Sequence, residues 1–110
     1  MHSPGDTIFA LSSGAGRAGI AVVRLSGARA SQALEALTGP CPAPRRAILR
    51  TVRDPGTREP IDQALVLWFP APGSHSGEDC AELHLHGGRA VLRAALGALG
   101  GLPGLRMADP

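Results

Sequence analysis

Cys80, Glu82, His84 and His86 occupy every second position of one short run, CAELHLH. In an extended strand such residues share a face at a spacing of about 7 Å, close enough for two imidazoles to converge on a zinc ion. A small metal-binding domain built on these four side chains is therefore one reading. A solvated polar face is the other. It is favoured because all four candidates sit in one segment, and the remaining histidines, His2 and His75, supply no distant His or Cys pair to complete a shell. Glu82 stands apart from its neighbours. A carboxylate flanked by Ala81 and Leu83 is partly buried and needs donors. The 2-amino and N3–H edge of a pterin ring is such a donor pair.

Arg24 interrupts the otherwise apolar run Ile20 to Leu25 (IAVVRL). A guanidinium there either snorkels from a strand end to solvent or projects into a cleft, where its forked donors hold an anion or a carbonyl. Gly14 to Gly19 (GAGRAG) satisfies the letters of the dinucleotide-binding GxGxxG. The context does not fit. That fingerprint works by opening a helix whose N-terminus holds pyrophosphate, whereas β-branched residues follow here and the position about twenty residues on is Gly39, not an acid. The glycines read as a loop between two strands.

Composition removes further chemistries. All eleven basic residues are arginine, spread from Arg17 to Arg106, and there is no lysine. A Walker-type phosphate loop and a Schiff-base amine both require lysine, so neither is available. With Phe9, Trp68 and Phe69 as the only aromatics and a net charge of +2, the chain has neither a stacking platform nor a basic patch for nucleic acid. Two cysteines without CxxC spacing do not form a secreted disulfide framework, and no apolar run reaches membrane-spanning length. A reduced cytoplasmic protein is expected, with no membrane association.

The elements that would position Arg24 and Glu82 follow from periodicity. Thr7 to Leu11 reads as a strand, and Ile20 to Leu25 as a second, apolar on both faces and central. Ser26 is placed to cap a helix whose apolar stripe is Ala30, Ala33, Leu34 and Leu37, stopped by Gly39-Pro40. Ile48 to Arg53 and Ile61 to Phe69 form a hairpin about the turn Asp54-Pro55-Gly56-Thr57. Cys80 to His86 is the next strand, with Ala81, Leu83 and Leu85 towards the core. Val91, Leu92, Ala95, Leu96 and Leu99 stripe a second helix ending near Gly100-Gly101, and Leu105 to Met107 could begin a last strand. The expected fold is one α+β domain over residues 1–110, in the order β-β-α-β-β-β-α with a final β left open. Its sheet is mixed, mainly antiparallel and of about five strands, with both helices on one face.

Taken in order, Asp6-Thr7-Ile8, Gly16-Arg17-Ala18-Gly19-Ile20, Arg24-Leu25-Ser26-Gly27, Trp68-Phe69-Pro70, Gly77-Glu78-Asp79, and Glu82 with His86-Gly87-Gly88 span nearly the whole chain. This set resembles the N-terminal domain of the MnmE (TrmE) family of tRNA-modifying GTPases. The resemblance implies a domain related to the folate-binding modules of one-carbon transferases, which forms a homodimer and holds a tetrahydrofolate derivative, 5-formyl- or methylene-tetrahydrofolate. It assigns the folate contacts to Arg24 and Glu82, with Gly16, Arg17, His86, Gly87 and Gly88 as candidate pocket lining. It further implies transfer of the one-carbon unit to C5 of the wobble uridine of tRNA, together with the flavoprotein MnmG (GidA). A structural dimerisation module without ligand is the remaining alternative. A further folate-contacting lysine, the cysteine motif, and the GTPase domain with its GTP, Mg2+ and K+ belong to family segments outside these 110 residues. This chain alone is accordingly expected not to hydrolyse GTP, and GTP-dependent phosphate release from it would refute that.

Overall fold

A computed structural model of the chain describes residues 6–12, 19–74, 77–86 and 88–108. Six strands and two helices follow one another as β1 (Thr7–Leu11), β2 (Ala21–Ser26), α1 (Ala30–Thr38), β3 (Ile48–Arg53), β4 (Pro60–Phe69), β5 (Cys80–Leu85), α2 (Arg89–Gly100) and β6 (Leu105–Met107). All strands join one sheet in the order β3-β4-β5-β2-β1-β6. Every neighbouring pair is antiparallel except β1 with β6. The fold is therefore α+β with a mixed sheet. The strand left open at the C-terminal end forms, which makes the sheet six-stranded instead of about five.

One core accounts for the architecture. Phe9, Val23, Leu25, Val66, Ala81, Leu83 and Leu85 from alternate strand positions are buried in a single cluster with Ala30, Ala33, Leu34 and Leu37 of α1 and Ala95 and Leu99 of α2. Because both helices share this cluster with the same set of sheet residues, they cover the same face. The opposite face stays uncovered by helix. Leu49 and Leu65, paired across β3 and β4, are 57% and 41% exposed there.

Several details differ from the sequence reading. β2 is central, but it is buried only at alternate positions, Ala21, Val23 and Leu25, while Val22 and Arg24 lie half-buried on the uncovered face. Ile20 precedes the strand and is exposed. In α2, Leu92 and Leu96 only flank the core, and Ala98 joins Ala95 and Leu99 inside it. β5 stops at Leu85, one residue before His86.

Ser26 does not cap α1. It is the last residue of β2, and α1 carries no side-chain cap; the amide of Arg29, the residue before the helix, donates at 2.8 Å to the hydroxyl of Thr7, a fully buried polar residue of β1. Gly27 makes this possible. Its φ is +139°, and a Cβ built on it would fall 2.7 Å from both Cα and Oγ1 of Thr7. Thus β1, the end of β2 and the start of α1 meet at a point where only glycine fits. The β3–β4 turn forms as expected, with the Asp54 carboxylate accepting the amides of Gly56 and Thr57 at 2.8 and 3.0 Å. Those two backbone bonds hold the Asp54 carboxyl below its ordinary pKa.

Candidate functional site

Antiparallel register sets Arg24 of β2 directly opposite Glu82 of β5, with Leu67 of β4 as the next position across. All three lie on the face without helices, since their strand neighbours Val23, Leu25, Ala81, Leu83 and Val66 are the ones taken into the core. Arg24 donates through Nε at 3.1 Å and Nη2 at 2.8 Å to a single oxygen, Oε2 of Glu82. The other oxygen, Oε1, lies 2.9 Å from Nε2 of His84, two residues along the same strand. The Glu82 side chain is 15% exposed and those of Arg24 and His84 about twice that. Burial pushes the Glu82 carboxyl up. The hydrogen bonds from His84 and Arg24 and the charge of Arg24 outweigh it, and the pKa ends below the usual glutamate value. Glu82 is thus held ionised.

The polar line extends both ways along β5. Towards the start of the strand, Ser26 faces Cys80 in register, and the buried Cys80 thiol donates to the Ser26 hydroxyl at 3.5 Å. Cys80 is therefore core-like, not part of a solvated face. Towards the end, the amide of His86 donates to Asp62 Oδ2 at 2.5 Å, and its Nδ1 lies 2.8 Å from the carbonyl of Gln63. Asp62 ties the exit of β5 to β4. Gly88 follows as the residue before the first turn of α2. Gly16, Arg17 and Gly87 lie outside the described residues.

A convergent metal set is not formed. Among the described residues no three His, Cys, Asp or Glu side chains come together to hold an ion. The reason is visible in the partners: Cys80 turns to Ser26, His84 to Glu82 and His86 to β4. Among the described residues, cavities border the helices. One, of about 460 Å³, is lined by Arg89, Leu92, Arg93, Leu96, Gly97 and Met107, another, of about 130 Å³, lies between α1 and Leu102–Leu105, and a third, of about 240 Å³, lies between the turn at Asp54, Pro55 and Gly56 and the end of α2. None of the three includes Arg24 or Glu82.

Two partners escaped the sequence reading. His84 as a ligand of Glu82 has a local signal, an acid and a histidine two apart on one strand face. Asp62 has none, because it meets His86 only once β4 and β5 are in register.

An α+β domain with helices on one side of a mixed sheet and an arginine–glutamate pair on the other is thereby defined. Residues 7–110 match the family model described as "GTP-binding protein TrmE N-terminus", and the chain belongs to that family. It is 60% identical over 106 residues to the "tRNA modification GTPase MnmE" of Methylobacterium sp. (strain 4-46), covering 96% of this chain and 24% of that one. It is 58% identical over 107 residues to the human "5-taurinomethyluridine-[tRNA] synthase subunit GTPB3, mitochondrial", covering 96% of this chain and 22% of the relative. The chain spans about a quarter of the length of these relatives.

Proposed function

We propose that this chain is a tetrahydrofolate-binding and homodimerisation module of a tRNA-modifying GTPase that acts on the wobble uridine. The observation that carries the reading is the Arg24–Glu82 pair at one register position on the uncovered sheet face, with Glu82 ionised and little exposed. An ionised carboxylate offers about four acceptor positions, and Arg24 and His84 occupy three. The donor set fits a pterin. Its 2-amino and N3–H edge needs one lone pair on each oxygen: Oε1 has one spare, and Oε2 regains one when Arg24 gives up either of its contacts. The released guanidinium donors then serve a carbonyl of the ligand. His86, Gly88, and Gly16, Arg17 and Gly87 complete the proposed pocket.

Bound 5-formyl- or methylene-tetrahydrofolate would supply the one-carbon unit for C5 of the uridine. In this reading the residues of this chain bind and orient it, while GTP, Mg2+ and K+ engage other segments of the longer protein, which acts in the cytoplasm with MnmG and tRNA. The names of the relatives, a tRNA modification GTPase and a tRNA synthase subunit, support the tRNA assignment. Exposed Leu49 and Leu65 on the uncovered face support a second copy covering it.

Calorimetric titration of the chain with 5-formyltetrahydrofolate is the test. Saturable binding that Arg24→Met and Glu82→Gln each weaken at least tenfold is expected. Absence of heat with folded protein at millimolar ligand, or binding indifferent to both substitutions, would overturn the assignment. Sedimentation should show a dimer, and a monomer at high concentration would remove that part of the proposal.

A further inference from the structure

The contact between His84 and Glu82 gives the histidine a role that neither the metal reading nor the folate assignment contains. An ionised carboxylate only accepts hydrogen bonds. The 2.9 Å contact at Oε1 therefore puts the proton on Nε2 of His84, whether the ring is neutral or charged. His84 and Arg24 grip opposite oxygens, so the carboxylate has two independent anchors. Its register neighbours are apolar: Val22 of β2 lies opposite it on one side and Leu65 of β4 on the other. The groups facing Glu82 are the Arg24 guanidinium from β2 and the titratable ring of His84 from β5 itself, while β4 presents Leu67 at that register position. Asp62 and His86 are engaged with each other at the far end of the strand.

We propose that His84 is the positioning residue of the ligand-binding carboxylate Glu82: it fixes Oε1 while Arg24 turns one of its two donors from Oε2 to the bound molecule. This rests on the folate reading for the identity of the ligand, not for the geometry. Without His84, a carboxylate held by one remaining Arg24 contact would keep no second anchor among the described side chains around it. It would rotate and pick up a proton more readily. Because His84 is partly exposed, losing its charge-assisted hydrogen bond should change the affinity about tenfold, about 1.4 kcal/mol.

The experiment uses His84→Ala and His84→Gln, the second retaining an N–H donor. Carbon-detected NMR titration of the Glu82 carboxyl in ligand-free protein reads the positioning directly. In His84→Ala the Glu82 pKa should rise towards its ordinary value, and in His84→Gln it should stay depressed. Affinity for 5-formyltetrahydrofolate should fall about tenfold in the first variant and recover most of the loss in the second. An unchanged Glu82 titration in His84→Ala, or loss in both variants alike, overturns the positioning role. Absence of folate binding in the wild type with the titration shift intact instead removes the ligand assignment and leaves His84 as the anchor of Glu82.

Discussion

Replacing Gly27 by alanine should cost this fold about 3–5 kcal/mol, a large part of the 5–15 kcal/mol typical of a domain. The φ of +139° is one that side chains with a Cβ rarely adopt, a strain of about 1–3 kcal/mol. The added methyl would also lie 2.7 Å from Cα and Oγ1 of Thr7 and 3.0 Å from the Asp6 carbonyl. Backbone cannot yield as a flexible side chain would, so overpacking adds about 1–3 kcal/mol. Any retreat of Thr7 lengthens the 2.8 Å hydrogen bond it accepts from the Arg29 amide, worth about 0.5–1.5 kcal/mol. These contributions share one displacement and do not add fully. Urea unfolding followed by the single tryptophan, Trp68, measures the loss. Two controls divide it: Gly77→Ala meets a positive φ of +82° with nothing within 4 Å, so it should show strain alone, about 1–3 kcal/mol. Gly97→Ala, in open space within α2, should be neutral or stabilising by up to about 1 kcal/mol. A Gly27→Ala loss no greater than that of Gly77→Ala would refute the close-approach argument.

A double-mutant cycle on Arg24→Met and Glu82→Gln should give a coupling of about 0.5–1.5 kcal/mol, reduced from buried-pair values because Arg24 stays one-third open to screening water. Zero coupling would mean the pair is incidental. Because the Glu82 carboxyl titrates below its unfolded counterpart, its ionised form stabilises the fold above that unfolded value, and the contribution is lost as pH falls through the folded pKa. Wild-type stability should therefore fall more steeply below about pH 4.5 than that of Glu82→Gln, and parallel acid profiles would contradict this. Under native conditions a thiol reagent should label Cys41 slowly, since burial and then Glu35 raise its pKa, and should reach the buried Cys80 only after unfolding. Equal rates for the two would disprove the burial difference.

How much of this was legible in the sequence depended on whether the cause was local. β5 was readable because Ala81, Leu83 and Leu85 alternate with polar residues, and the β3–β4 turn because Asp54, Pro55 and Gly56 each favour it. β2 misled, since a run apolar except at Arg24 suggests burial on both faces, yet helices cover only one side of this sheet. The start of α1 was beyond reach from local signals: Ser26 is an acceptable cap by type, yet the helix has no side-chain cap, and the hydroxyl that holds the residue before it comes from twenty-two residues upstream. Arg24 and Glu82 could be singled out as misfits, but their register, and the seating of Glu82 on His84, exist only once β2 and β5 pair.

The parallel pairing of β6 with β1 places Leu105 beside Thr7, joining segments from nearly opposite ends of the sequence. A nascent polypeptide leaving the ribosome could fill every other ladder of the sheet first, with the outer edge of β1 bare until those last residues emerge. Closure of so long a loop is entropically slow, and an uncovered strand edge attracts foreign backbones meanwhile. The interval between synthesis of the first strand and arrival of the sixth is thus when this protein is most exposed to misassembly.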